Sequence, residues 1–202
     1  MLLATKNQGK IREIRALLGD LGVDVLSLND FADVPDVVED GATFFENALK
    51  KAKAISEHTG EIVLADDSGL EVEYLKGEPG VYSSRYSGQD ATDDTNIKKL
   101  LQTLKGVPRE KRNAAFRCVL VLYLPDGKYE SFEGRLEGII HEKPLGGGGF
   151  GYDPVFLLPE WGSTVAQLPM EVKNRISHRA QAVGKFKEAY RQKILSTDKG
   201  IS

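Results

Sequence analysis

Apolar and polar positions follow a strand pattern and then a helix pattern at the start of the chain. Residues 2–5 predict a short strand that enters a polar turn. After the turn, apolar residues recur at the spacing of one helix face: Ile11, Ile14, Leu17 and Leu18. Residues 23–28 predict a second strand, followed by a polar loop that contains proline.

A second helix is predicted from Thr43 to about His58. Thr43 is a suitable N-cap, and Glu46 has the position from which a capping-box side chain reaches back to the cap N–H. Asn47 and Lys51 are four residues apart and share a polar face. A different face carries the apolar stripe: Phe44, Ala48, Ala52 and Ile55.

The apolar run 62–65 predicts a strand that is covered on both sides and ends at Asp66. The segment Ala65-Asp66-Asp67-Ser68-Gly69 is therefore predicted to be an acidic turn. Consecutive strand residues point to opposite faces, so only one of the two aspartates need enter a site. We expect Gly69 to adopt a backbone conformation that other residues resist.

The second half of the chain predicts a helix over 92–104 capped by Thr92 or Asp93, and a hairpin of 116–124 with 129–132 that 134–140 extend into a meander. A last helix begins near Ser177 and buries one face: Ala182, Val183, Phe186, Ala189 and Tyr190. Helices and strands interleave early and strands cluster late, which favours a mixed α/β fold with helices packed on a mixed sheet. No linker or repeat interrupts residues 1–202, so we expect one domain.

Composition narrows the classes of function. No apolar run approaches the ~20 residues of a membrane helix, and the 41% hydrophobic composition is typical of a soluble protein. The net charge of −3 argues against a broad nucleic-acid interface. The beginning of the sequence lacks an export signal, so the cytoplasm is expected. Cys118 has no partner for a disulfide, and a buried thiol is expected there in preference to a catalytic one.

The segment Thr5-Lys6-Asn7-Gln8-Gly9-Lys10 lies where a strand enters a helix. Backbone N–H groups and the positive end of the helix dipole can bind a phosphate there. The spacing is not that of a Walker A loop, because Ile11 stands where a Ser or Thr should bind Mg²⁺. A plain turn with solvated lysines fits the same segment.

Carboxylates must then hold any metal. Glu39 and Asp67 supply hard oxygen ligands that, with phosphates and waters, suit Mg²⁺. The Ser68 hydroxyl or N–H is suited to a phosphate oxygen. The alternative interpretations are a solvated acidic cap after a strand and, for Glu39, an ordinary surface loop acid.

Two later segments offer groups for a base. Phe150-Gly151-Tyr152-Asp153 combines flat rings, a glycine that permits close approach and an acceptor, which fits a nucleobase; an aromatic core plug is the alternative. Ser177-His178-Arg179 places two donors beside a positive helix end, shortly after Lys173. No nearby acid supports a Ser-His-Asp triad.

Together the segments resemble the inosine triphosphate pyrophosphatase family, which removes non-canonical purine nucleotides. The resemblance runs nearly end to end and follows this order: Ala4-Thr5-x-Asn7-x-Gly9-Lys10, Glu39, Thr43-x-x-Glu46-Asn47-Ala48-x-x-Lys51-Ala52, Ala65-Asp66-Asp67-Ser68-Gly69-Leu70, Pro79-Gly80-Val81-Tyr82-Ser83-x-Arg85, Gly148-Gly149-Phe150-Gly151-Tyr152-Asp153-Pro154 and Lys173-x-x-x-Ser177-His178-Arg179. It implies an elongated mixed sheet in two lobes around a nucleotide cleft, a homodimer, and Mg²⁺-dependent hydrolysis of ITP, dITP and XTP to the monophosphate and pyrophosphate.

The resemblance also implies residue roles. Asp67 matches the general base and a metal ligand, and Glu39 the other metal ligand. The turn from Thr5 to Lys10 matches the triphosphate site, and Lys51 matches a lysine near the phosphates. The remaining matched positions bind the nucleotide: Ser68, Phe150, Gly151, Tyr152, Asp153, Lys173, His178 and Arg179.

Two departures from the family pattern stand out. Family members usually have a few more residues before the first Ala-Thr, so we expect a short first strand or a native start upstream of Met1. The run Gly146-Gly147-Gly148-Gly149 exceeds the usual glycine pair, which is expected to loosen the loop beside the base.

The mechanism expected from this site has Lys10 and Lys51 neutralise phosphate charge while Asp67 aligns water on the α-phosphorus. Donors from Arg179, His178 or backbone N–H groups would select a 6-keto purine. Two other classes stay open: a nucleotide sensor without turnover, and a phosphatase in which Asp67 forms a phosphoenzyme.

Overall fold

The computed structural model describes residues 1–31 and 33–198, with side chains described to residue 192. The described strands form one sheet: β1 Leu2–Leu3, β2 Leu26–Ser27, β3 Val63–Val72, β4 Asn113–Tyr123, β5 Tyr129–Ile140, β6 Phe156–Leu158 and β7 Ser163–Thr164. The α-helices flank it: α1 Gln8–Leu18, α2 Phe44–Thr59, α3 Asp93–Thr103, α4 Met170–Ile176 and α5 His178–Asp198. None of the described helices combines the length and apolar character needed to span a bilayer.

The sheet is mixed, as predicted. Its strand order is β2-β1-β3-β4-β5-β6-β7, with parallel pairing of β1 to β2 and to β3. All later neighbours pair antiparallel. The predicted mixed α/β fold is therefore confirmed, although the second strand is shorter than expected and residues 134–140 are the second half of β5.

The predicted acidic turn is wrong. Residues 66–69 lie within β3, which runs to Val72 and pairs with β4 along its whole length. The long hairpin of β4 and β5 supplies a continuous ladder partner, and this partner holds the polar residues in extended conformation. Because side chains alternate along β3, the two aspartates still point to opposite faces of the sheet. Asp66 forms an ion pair with Arg179 of α5, whereas the charge of Lys51 of α2 acts on the pKa of Asp67.

The described residues form three buried hydrophobic clusters that stabilise the fold, and β3 and β4 contribute to each. Leu64 and Leu120 pack with Phe186 on the face of α1 and α5. Val63 and Val121 pack on the face of α2. Farther along the same strands, a third cluster lies beneath α3: Leu70, Val72, Ile97, Leu100, Phe116 and Phe156 among others. Residues 66–69 therefore stand where the clusters meet.

Capping interactions fix the helix starts that border this region. Asn7 caps α1 by accepting the Lys10 N–H at 3.1 Å, and Thr92 caps α3 as predicted. The Thr43 side chain accepts the Glu46 N–H, but the Glu46 carboxylate bonds to the Ala42 N–H at 2.7 Å and not to Thr43. The reciprocal half of the predicted capping box is thus wrong.

Gly69 serves close packing. Its φ is not positive, so the predicted special conformation is wrong. A Cβ at Gly69 would lie 2.6 Å from the Gly80 carbonyl oxygen and closer still to Ser83 Oγ. The missing side chain lets the 3-10 helix Gly80–Arg85 dock on β3, where Ser83 Oγ accepts the Leu70 N–H at 2.8 Å.

We predict that Gly69→Ala lowers the free energy of unfolding by about 1–3 kcal/mol, because the added methyl overlaps backbone. Gly184→Ala in α5 is the control, since its Cβ would meet nothing within 4 Å. Replacing a helical glycine with alanine should raise stability by about 0.5–1 kcal/mol. Urea unfolding measures both variants, and a Gly69→Ala protein as stable as wild type would refute the packing account.

Candidate active site

One cleft collects most of the predicted site residues. The predicted residues that line it are Thr5, Asn7, Lys10, Glu39, Lys51, Asp67, Ser68, Phe150, Gly151, Tyr152, Asp153, Lys173, His178 and Arg179. They come from the start of α1, the loop before α2, α2, β3, the loop after the glycine run, α4 and α5.

Three predicted residues of the phosphate segment do not line the cleft. Lys6 is exposed and pairs with Asp36 at 2.7 Å. Gln8 is exposed at the first position of α1. Gly9 is buried, and a Cβ there would lie 2.6 Å from the Phe150 ring, so this glycine allows the aromatic loop to approach α1.

Asp66 is the most heavily paired carboxylate of the site. It is fully buried, forms ion pairs with Lys10 and Arg179, and accepts the Ser68 hydroxyl at 2.9 Å. The Cys118 thiol, also buried as predicted, donates to it at 3.2 Å. Burial alone would raise the pKa of Asp66, but the charges of Arg179 and Lys10 outweigh it and hold the pKa well below the usual range. Asp66 therefore stays ionised.

Arg179 ties together α1, β3 and α5. Its Nε donates to Asp66 at 2.9 Å, Nη1 to Glu13 at 2.6 Å and Nη2 to Ser68 Oγ at 2.8 Å. Burial opposes its charge, but Asp66 and Glu13 raise the pKa of Arg179. Because each guanidinium nitrogen already has a partner, this side chain has less freedom to read a base than the sequence suggested.

Lys173 extends the network toward the aromatic loop. It is 4% exposed, and its ammonium pairs with Glu13 at 2.7 Å and with Asp153. The same ammonium lies 4.7 Å from the centroid of the Phe150 ring. Burial raises the pKa of Asp153 against the opposing charge of Lys173. The loop beside the predicted base site is thus held by buried charges.

Asp67 has a different environment from Asp66. One of its oxygens accepts the Ser68 N–H at 3.1 Å, while Oδ2 is buried without a hydrogen-bond partner among the described residues. Burial, followed by the negative charges of Glu39 and Asp66, raises the pKa of Asp67 to about 6 against the opposing effect of Lys10 and Lys51. This carboxyl can take up or release a proton near neutral pH.

Glu39 and Asp67 are suited to bind a cation whose remaining coordination positions are filled by substrate and water. Glu39 pairs with Lys51 at 2.6 Å and is close enough to Asp67 to raise its pKa. The described residues hold no group of three or more His, Cys, Asp or Glu side chains arranged to bind a metal. Two carboxylates with further oxygens from substrate and water are a usual Mg²⁺ arrangement, and the unpartnered Asp67 oxygen fits it.

Stacked rings form another part of the cleft lining. The buried His178 ring lies 4.9 Å from the Phe116 ring at an interplanar angle of 21°. Burial, helped by the charge of Arg179, holds the pKa of His178 well below its usual range, so the imidazole is neutral. Its Nδ1 has no partner among the described residues. The Tyr152 hydroxyl, in contrast, already donates to the Ser83 carbonyl at 2.9 Å.

A model of the Ham1 family matches residues 1–189 of this chain. The chain belongs to the Ham1 family. It is 54% identical over 188 residues to the dITP/XTP pyrophosphatase of Geobacter sulfurreducens, covering 93% of this chain and 94% of that protein. Its identity to the dITP/XTP pyrophosphatase of Bacillus licheniformis is 52% over 186 residues, covering 92% and 95%.

Solved structures of Ham1 proteins have the same fold. The Ham1 protein of Staphylococcus aureus superposes with a TM-score of 0.85 at 40% identity, covering 95% of this chain and 98% of that one. The HAM1 protein of Coxiella burnetii gives a TM-score of 0.86 at the same identity and coverage. These matches confirm the family that the order of motifs indicated.

Sequence reasoning about this Ham1 protein missed several residues. Glu13 was not singled out, although it lies three positions after Lys10 and so shares its helix face. Asp93 was predicted only as a cap, but its carboxylate also accepts the Gly151 N–H at 2.7 Å. Leu70, Val81 and Ser83 lie in the matched motifs but were given no role in the site. Further cleft residues carried no signal of their own: Ser84, Asn96 and Phe116.

We predict that Asp66→Asn lowers the free energy of unfolding at pH 7 by about 3–5 kcal/mol, because it leaves buried cations without their counter-charge. The folded pKa of Asp66 lies below the unfolded value, so this stabilisation is present at neutral pH and is lost as pH falls through the folded pKa. Urea unfolding compares it with Asp36→Asn, which alters an exposed pair and should change little. Equal stability of the two variants would contradict the buried-pair account.

Proposed function

We propose that this Ham1 protein hydrolyses dITP, XTP and ITP to the nucleoside monophosphate and pyrophosphate in a Mg²⁺-dependent reaction. The observation that carries the proposal is Asp67, a buried carboxyl with a pKa of about 6 and an unpartnered oxygen beside Glu39. The names of its relatives from Geobacter sulfurreducens and Bacillus licheniformis support the substrate class.

The balance of charge in the cleft supports dependence on a divalent cation. The cationic side chains are already paired with carboxylates: Lys10 and Arg179 with Asp66, Lys51 with Glu39, and Lys173 with Glu13 and Asp153. Asp67 and Asp93 add further acidic groups to the lining. A triphosphate would therefore meet little surplus positive charge from the described lining. Mg²⁺ held by Glu39 and Asp67 supplies that charge when bound.

The chemistry assigned to the protein is water activation at Asp67. A carboxylate with a pKa near the working pH is suited to accept a proton in the transition state. The water oxygen forms a bond to the α-phosphorus, the bond to the bridging oxygen breaks, pyrophosphate leaves, and the water proton passes to Asp67. The side chains of Thr5 and Asn7, which line the cleft, bind phosphate oxygens.

His178 is the favoured side chain for base selection. Its neutral ring is buried, and Nδ1 has no partner among the described groups. In the tautomer that carries the proton on this nitrogen it donates to a 6-keto oxygen, whereas the 6-amino group of adenine would leave that donor unsatisfied. Arg179 is less suited because its nitrogens already donate to other residues.

We also propose a homodimer in the cytoplasm. The resemblance to the family supports the homodimer. A cytoplasmic location is supported by the proposed use of nucleoside triphosphates as substrates.

The products decide between this function and its alternatives. With Mg²⁺ and dITP, ITP or XTP in H₂¹⁸O, we expect pyrophosphate and a monophosphate that carries the label, with far slower turnover of ATP and GTP. Asp67→Asn should lower kcat by about 10²-fold or more, since it removes the base. Asp36→Asn is the control with unchanged turnover.

Other outcomes would refute the proposal. Release of inorganic phosphate would indicate a phosphatase, and nucleotide binding without any release would indicate a sensor. Near-normal turnover by Asp67→Asn would remove the assigned base.

A further inference from the structure

Glu39 lies on a segment that has no regular structure of its own. Residues 34–41 form neither helix nor strand, and the Glu39 side chain is 30% exposed. The other carboxylate of the proposed cation site, Asp67, lies in the middle of β3. A loop carboxylate can keep a fixed place beside a strand carboxylate only if other groups hold the loop.

Arg85 provides such a contact. Its Nη2 donates to the Glu39 carbonyl oxygen at 2.8 Å, joining residues 46 positions apart. Arg85 is the last residue of the 3-10 helix Gly80–Arg85 and does not line the cleft. In the same sequence motif, Ser83 docks the 3-10 helix on β3 and Val81 and Ser83 line the cleft, whereas Arg85 has neither role.

The 3-10 helix is itself anchored next to Asp67. Ser83 Oγ accepts the Leu70 N–H at 2.8 Å, and its backbone carbonyl accepts the Tyr152 hydroxyl at 2.9 Å. Gly69 has no side chain to keep the helix away from β3. Leu70 is three residues after Asp67 on the same strand. The backbone of the helix that carries Arg85 is therefore fixed relative to Asp67.

Helix α2 holds the other side of the loop. The fully buried Asn47 accepts the Gly41 N–H at 2.8 Å, and a Cβ at Gly41 would lie 2.7 Å from the same Asn47 oxygen. One helical turn later, Lys51 pairs with the Glu39 carboxylate. The backbone that follows the Glu39 side chain thus has two anchors, one at the Glu39 carbonyl and one at the Gly41 N–H.

We propose that Arg85 is a positioning residue that sets the place of Glu39 relative to Asp67, with Asn47 as the second anchor of the loop. The two carboxylates are then arranged before a cation arrives, which reduces the ordering that binding must impose. The nature of the cation rests on the function proposed above. The hydrogen bond from Arg85 to the Glu39 carbonyl, called the tether below, does not.

Hydrogen–deuterium exchange of the metal-free protein tests the tether. Arg85→Ala is expected to speed amide exchange in residues 36–43 and to leave β3 and α5 unchanged. Arg85→Lys, which keeps the charge and donors, should recover part of the protection and serves if the alanine variant folds poorly. Lys50→Ala is the matched control, because Lys50 pairs with the exposed Asp40 of the same loop and should leave exchange near wild type.

The Mg²⁺ dependence of dITP turnover tests the consequence. Loss of groups that orient metal ligands typically weakens metal affinity by about 10–100-fold. We expect Arg85→Ala to raise the half-saturating Mg²⁺ concentration about tenfold, with Arg85→Lys between it and wild type and Lys50→Ala unchanged.

The outcomes separate this inference from the proposed function. Wild-type exchange of residues 36–43 in Arg85→Ala would overturn the tether. Faster exchange with an unaltered Mg²⁺ dependence would overturn its role at the cation site. A wild-type protein without Mg²⁺-dependent turnover would overturn the proposed function and the cation role, while exchange would still report on the tether.

Discussion

The guanidinium of Arg179 and the carboxylate of Asp66 form a fully buried ion pair at the point where α5 meets the middle of β3. Burying either charge without the other would cost several kcal/mol of desolvation free energy, about 3–5 kcal/mol when one partner is removed. Each side chain therefore holds the other in position. Glu13, Lys10 and Ser68 complete the pair with hydrogen bonds and ion pairs. Segments more than a hundred residues apart are thereby placed around one cleft.

This pair also explains why two adjacent aspartates differ. Asp66 points to the face that holds Arg179 and Lys10, and their charges keep its pKa low in spite of burial. Asp67 points to the other face, where burial and the neighbouring carboxylates raise its pKa to about 6. Strand alternation therefore converts one dipeptide into a permanent counter-ion and a group that can exchange protons.

Local signals in the sequence predicted α1, α2, α3, α5 and the hairpin well, because caps, helical spacing and turn residues act over a few positions. The short helix α4 was not predicted. The local signals failed at residues 66–69, where Asp, Ser and Gly favour a turn but pairing with the distant β4 imposes a strand. The links of Arg179 to Glu13 and of Arg85 to Glu39 were likewise not predictable, because charge pairing across the fold leaves no local pattern. The order of the motifs predicted most of the residues that line the cleft. It did not predict their hydrogen-bond and ion-pair partners.

Asp66 and Asp67 differ in protonation behaviour, because Asp66 stays ionised whereas Asp67 exchanges a proton near neutral pH. The most direct test is an NMR titration of the carboxyl carbons of both residues in the metal-free protein. We expect Asp67 to titrate with a midpoint of about 6 and Asp66 to show no titration until acid unfolds the protein. Midpoints near the ordinary aspartate value of about 3.9 for both residues, or a higher midpoint for Asp66 than for Asp67, would contradict it.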